Sequence, residues 1–142
     1  MAEYTIDSVQ DLIDLTLKSG KFAAISWKEN TFTLTTDLDL TGVDPKADGK
    51  GWWPIGEWGS GTFFNGSFDG DGHTISNMTV NRSSESHVGL FGAIDVDADG
   101  ASGMYDPVKN LELTDVDVTG GTYAAGLIGH ILGAGITHGY AV

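Results

Sequence analysis

The chain has 142 residues, 21 of them glycine, and a net charge of −13 from twenty acidic residues against seven Lys plus Arg. That sign excludes nucleic acid as a partner, since phosphate binding needs basic surface, and it disfavours anionic lipid for the same reason. No cysteine is present, which excludes disulfide and thiol chemistry. The length fits one domain, 1–142, and glycine at about twice average usage points to tight turns between short strands. No apolar run reaches the roughly 18 residues a membrane helix needs, so no membrane insertion is expected. The opening MAEYTIDSVQ lacks the basic start and apolar stretch of a signal peptide.

Ser8 is placed to cap a helix, with Asp11 in the first turn and Gly20 beyond the end. Val9, Leu12, Ile13 and Thr16 fall on one face at helical spacing. This cap region, 1–30, is followed by a change of period. TFTLTTDLDL (31–40) alternates like a strand pair, and DPKADGKG (44–51) is a loop by composition.

GWWPIGEW (51–58) holds three of the four tryptophans. Exposed indoles stack on the apolar C–H faces of sugar rings. Trp53 and Pro54 are expected to pack at a corner of the core. Trp52 and Trp58 are then the reachable rings, with Glu57 beside them as an acceptor for sugar hydroxyls.

FDGDGH (68–73) offers Asp69, Asp71 and His73 as a metal or acid/base group. Cleavage of a glycosidic bond needs two carboxyls about 5 to 9.5 Å apart, which carboxylates two residues apart in a glycine turn do not guarantee. The alternative is architectural, with Asp capping the corner and Gly taking positive φ.

From Ile75 the chain repeats. ISNMTV (75–80) matches VKNLEL (108–113), and HVGLFGAI (87–94) matches AAGLIGHI (124–131). Units of 75–107 and 108–135 follow, with a truncated third, 136–142, opening at ITHGYAV. Repeats built from short strands point to a β-solenoid; a β-sandwich with chance matches is the other reading. In the solenoid, Asn77 and Asn110 would form a side-chain ladder and the helix would cover the first coil. The last coil would be cut in mid-unit, leaving an open strand edge able to self-associate, and the natural chain is expected to continue.

The GLFG and GLIG cores, with LTTDLDL, WPIG and FNGSFDGDGHTISNMTV upstream, resemble bacterial surface proteins carrying GLUG repeats. That resemblance implies a mainly β, right-handed parallel β-helix with a short N-terminal capping helix, on a secreted or cell-surface protein. His138 departs from the pattern, as does the long acidic insertion after GLFGAI.

That insertion, DVDADGASGMYD (95–106), has the spacing of a calcium loop. Asp95, Asp97 and Asp99 fill the first, third and fifth positions and Gly100 the sixth; Ala101 offers its carbonyl and Asp106 fills the twelfth. A divalent cation, Ca²⁺, would relieve the repulsion among four acids. The flanks read as strands, so the loop is not an EF-hand domain; a solvated acidic turn is the alternative.

The leading expectation is an extracellular structural or adhesion module, stabilised by calcium, meeting a host or cell-surface glycan or protein. A carbohydrate-binding module and a polysaccharide-cleaving β-helix enzyme are the alternatives. No catalytic residue is assigned.

Overall fold

The computed structural model describes residues 2–95 and 107–132. Strand β1 (Ala2–Ile6) leads into helix α1 (Val9–Leu17). Ser8 is extended, and its hydroxyl accepts the Asp11 N–H at 3.2 Å, supplying a partner to one of the helix's orphan donors. Lys18 ends the helix in the left-handed conformation, φ 53°. The face carrying Leu12 and Leu15 is buried.

The remaining strands are β2 (Asn30–Leu34), β3 (Leu38–Asp39), β4 (Ser67–Asp69), β5 (Thr74–Ser76), β6 (Thr79–Arg82), β7 (Phe91–Asp95), β8 (Val108–Lys109), β9 (Glu112–Thr114), β10 (Asp117–Gly120) and β11 (Ile128–Leu132). They make four small sheets, ordered β1-β2-β4-β8, β3-β5-β9, β6-β10 and β7-β11. Every strand pairing among the described residues is parallel.

This corrects the expected right-handed parallel β-helix. Strands of two to five residues pair in separate ladders, and no sheet closes or runs on as a solenoid sheet among the described residues. The physical reason lies in the connections. Asp71, Asn77, His87, Asn110 and Asp115 all take left-handed backbone, with φ from 50° to 60°, which turns the peptide plane and ends the hydrogen-bond row. Between β3 and β4 the chain contributes isolated bridges, such as Ile55 with Phe91 and Phe64 with Ile94, instead of strands.

Two finer expectations are also corrected. The run 31–40 does form strands, but β2 and β3 do not pair with each other. Phe32 lies between Tyr4 and Phe68, while Leu38 pairs with Ile75. ISNMTV does not face VKNLEL. Ile75 pairs with Leu113, and Val80 with Val118, so its partner is LTDVDV (113–118). Asn77 and Asn110 therefore form no ladder with each other; Asn77 Nδ2 donates to Asp39 at 3.0 Å and Asn110 Nδ2 to Asp69 at 3.2 Å.

A connected run of aromatic rings fills the core. Tyr4 stacks on Phe32 at 5.7 Å, Phe32 meets Phe64 at 6.4 Å, Phe64 meets Phe91 at 5.1 Å, and Phe91 meets Phe68 at 5.5 Å. Each fully buried Phe contributes about 1.5–3 kcal/mol by leaving water. This run ties the β1-β2-β4 sheet to β7, and so fixes the wall on which residues 51–66 lie.

Candidate functional site

The segment from Gly51 to Gly66 is held against β7 by its backbone. Ile55 N–H donates to the Leu90 carbonyl and Gly92 N–H to the Ile55 carbonyl, both at 2.9 Å. Phe64 N–H donates to Ala93 at 2.9 Å. Gly56 and Gly92 make this approach possible. A Cβ on Gly92 would collide with the Gly56 carbonyl, and one on Gly56 with the Ala93 carbonyl. The glycines of WPIG and GLFG are thus one contact seen from two sides.

That contact decides where each tryptophan points. Trp52 is 1% exposed and its Nε1 donates to the Leu90 carbonyl at 3.1 Å. It belongs to the core and cannot meet a ligand, which corrects its expected place on the surface. Trp53 is half-buried and lies on the open side. The Thr16 hydroxyl fixes its backbone carbonyl from α1 at 2.8 Å. Lys46 Nζ sits 4.5 Å, and the Arg82 guanidinium carbon 4.8 Å, from its ring centre. Trp58 stands at the tip of a turn closed by Glu57 N–H to the Thr62 carbonyl, 2.8 Å, and remains 41% exposed. Glu57 is beside it, its carboxylate accepting from Ser60 Oγ at 2.9 Å.

Together these residues border a cleft of about 550 Å³ lined by Trp53, Glu57 and Trp58 on one side and Glu85, Ser86 and His87 on the other. Clefts of about 300–1,000 Å³ are the usual size for small ligands. The far wall is built on Arg82, whose side chain is 1% exposed. Arg82 Nη1 bonds Asp48 at 2.9 Å and Glu85 at 3.3 Å, and its Nε donates to the Trp52 carbonyl at 3.1 Å. The Arg82 guanidinium, through that bond, holds the Asp48 carboxyl well down, to about 2. A buried guanidinium with its donors satisfied is a structural pin; it binds the 44–51 loop to β6.

Three aromatic rings form the floor under Trp58. His87 lies parallel to the indole at 4.7 Å, Tyr123 stacks on His87 at 4.6 Å, and His130 touches Trp58 at 4.8 Å and Tyr123 at 4.9 Å. His87 Nδ1 bonds Ser86 Oγ at 2.8 Å, while its buried Nε2 has no hydrogen-bond partner among the described residues. Burial, with the nearby His130 charge adding to it, lowers the His87 pKa below the usual 6.5. His87 and Tyr123 are both in the left-handed region, at φ 60° and 56°, a conformation costly for bulky side chains and concentrated at functional sites. Sequence reasoning missed this group. The repeat match could not have found it: HVGLFGAI against AAGLIGHI aligns His87 with Ala124, whereas in the structure Val88 bridges Ala124, one residue out of that register, which brings His87 beside Tyr123.

The other candidates separate. Asp69 accepts from the Asp71 N–H at 2.8 Å and from Asn110, and His73 pairs with Asp37 at 3.2 Å, away from Asp69 and Asp71. This is the architectural arrangement. Asp95 closes β7; Asp97, Asp99, Ala101 and Asp106 lie outside the described residues. Among the described residues no group of three His, Asp or Glu is arranged to hold a metal, and no helix is long and apolar enough to cross a membrane.

The chain is 36% identical over 121 residues to a protein named Halomucin from Haloquadratum walsbyi, covering 83% of this chain and 1% of that protein. It is 38% identical over 89 residues to a "Putative Gly-rich membrane protein" of Evansella cellulosilytica, covering 62% of this chain and 9% of that one. The chain thus spans a small part of either relative, and neither name bears on the GLUG resemblance. No family model matches the chain, and no solved structure matches it.

Proposed function

We propose that this chain is a non-catalytic adhesion module of an extracellular surface protein, and that it binds saccharide in the Trp53–Trp58 cleft. The observation that carries the reading is Trp58, an indole 41% exposed at the mouth of a cleft of about 550 Å³ and backed by a parallel His87 ring. An exposed tryptophan costs free energy in water, and a rigid one offers a flat apolar platform with little entropy left to lose on binding. Glu57, Ser60 and Glu85 supply hydrogen-bonding groups around it, which is the division of labour a sugar ring requires: an apolar face against the indole, hydroxyls toward the rim. The names of the two relatives support a surface or membrane-associated setting, and the acidic surface suits a soluble, exposed module.

Titration with a broad panel of oligosaccharides, followed by tryptophan fluorescence, tests this. Binding that quenches or shifts the emission and disappears in Trp58→Ala supports the reading. No response across the panel, or a response that survives Trp58→Ala, refutes it.

A further inference from the structure

The two tryptophans that line the cleft differ in one respect. Trp53 already has cations over its ring, Lys46 and Arg82, and Arg82 is in turn held by the carboxylates of Asp48 and Glu85. Indole, cation and carboxylate are all present there. Trp58 has the indole and the carboxylate of Glu57, with the imidazoles of His87 and His130 against it but no Lys or Arg over its ring among the described residues. Glu57 takes a hydrogen bond from Ser60 Oγ and makes no ion pair among the described residues. Glu85, across the cleft, is neutralised by Arg82 at 3.3 Å and Lys50 at 3.7 Å. Glu57 is therefore the carboxylate of this cleft without an ion pair among the described residues.

We infer that the Trp58–Glu57 end of the cleft takes the ammonium group of an amino sugar. This rests on the saccharide reading above and narrows its ligand to 2-amino-2-deoxyhexose residues with a free amine. An indole face is the best aromatic receptor for a cation, and a carboxylate next to it adds a charge-assisted hydrogen bond. The field of the whole chain, at −13, draws cations to the surface and repels uronic and other acidic sugars. A sugar amine meets both requirements of the site, because its pyranose ring covers the indole while its ammonium reaches Glu57. N-acetylation removes the charge and leaves the ring, so it separates the two contributions.

The test is calorimetric titration of short glucosamine oligomers and of the matching N-acetylglucosamine oligomers into the protein, into Glu57→Gln and into Glu112→Gln. Glu112 is exposed on β9 and does not line this cleft, so its loss reports the general field alone. The expected result is tighter binding of the amine form, a loss of about three- to fivefold in Glu57→Gln for that form only, and no change in Glu112→Gln. Added salt should weaken the amine form and spare the acetylated one. Equal binding of both oligomers, unaltered in Glu57→Gln, overturns the amine assignment and leaves the saccharide reading standing. An equal loss in Glu112→Gln overturns it too, by reducing the effect to overall charge. No binding of either oligomer overturns it as well, and the saccharide reading then rests on the wider panel.

Discussion

The imidazole of His87 lies parallel to the indole of Trp58, ring centres 4.7 Å apart, and is 8% exposed. Its pKa is lowered by burial and by His130. The folded state therefore binds its proton less readily than the unfolded chain does. Below the unfolded value near 6.5, the unfolded state holds more protons, so stability must fall as pH falls through that value. The loss continues until the depressed folded pKa is passed, with a slope of at most about 1.4 kcal/mol per pH unit for one proton. Urea denaturation at steps between neutral and mildly acidic pH reads this slope. His87→Phe keeps a ring in the stack and removes the titration. The slope should flatten there even though Phe at φ 60° lowers stability overall. An undiminished slope in that variant would assign the effect to another group.

Arg82 supports the opposite wall, and its removal should be costly. Its side chain is 1% exposed and bonds Asp48, Glu85 and the carbonyls of Gly51 and Trp52. Arg82→Ala leaves two carboxylates that are each about a third exposed and can rehydrate, so the loss is about 2–4 kcal/mol, mainly of packing and hydrogen bonds. The Asp48 pKa, lowered to about 2 by the Arg82 bond, adds an acid signature. Its stabilisation is complete above the ordinary 3.8 and is lost as pH falls from there toward 2. Chemical denaturation of Arg82→Ala should show both the lower midpoint and a weaker acid dependence in that window.

Some of this was legible in the residues, and the rest failed for physical reasons. The helix was readable because Ser8, Asp11 and the Val9, Leu12, Ile13 and Thr16 spacing all agree, although the buried part of its face is Leu12, Leu15 and Thr16. GLFG against GLIG was readable because close backbone contacts at Gly92 and Gly129 admit only glycine, and the register does place Phe91 beside Ile128. The match of ISN with VKN misled because it followed the letter Asn. The structure needs a residue tolerant of left-handed backbone, and Asp115 at φ 52° serves the second strand as Asn77 at φ 60° serves the first. Trp52 and Trp53 were interchanged because composition does not set the parity of an extended segment; hydrogen bonds to β7 do. The continuous β-helix was expected from the strand repeats and from the GLUG-repeat resemblance, without the turns that divide the ladders.

The acidic loop is tested by melting. If Asp95, Asp97, Asp99, Ala101 and Asp106 bind calcium as their spacing predicts, a cation at 100 times its dissociation constant should stabilise the folded chain by about 2.7 kcal/mol. Thermal melts in EDTA, then in excess calcium, with magnesium as control, read this directly. A rise of several degrees with calcium, small with magnesium and reduced in Asp97→Asn, is the expected outcome. Equal melting temperatures throughout would return the loop to a solvated turn.

The last prediction concerns glycines that look alike in sequence. Gly72 takes φ 81° in open space, while Gly56 takes φ 87° with its Cβ position filled by the Ala93 carbonyl. Gly92 has no unusual φ, yet its Cβ position is filled by the carbonyls of Gly56 and His87. Gly72→Ala meets only the backbone penalty and should cost about 1 kcal/mol. Gly56→Ala, on top of that penalty, and Gly92→Ala, without it, must push two backbones apart, breaking bonds such as Gly92 N–H to the Ile55 carbonyl, and should cost more than about 3 kcal/mol. Because that contact holds Trp53 and Trp58 over the cleft, Gly92→Ala should also shift native-state tryptophan emission toward the solvent-exposed spectrum, which Gly72→Ala leaves unchanged. If Gly92→Ala proves as mild as Gly72→Ala, and its emission stays put, then WPIG and GLFG are not in backbone contact and the cleft is held by something else.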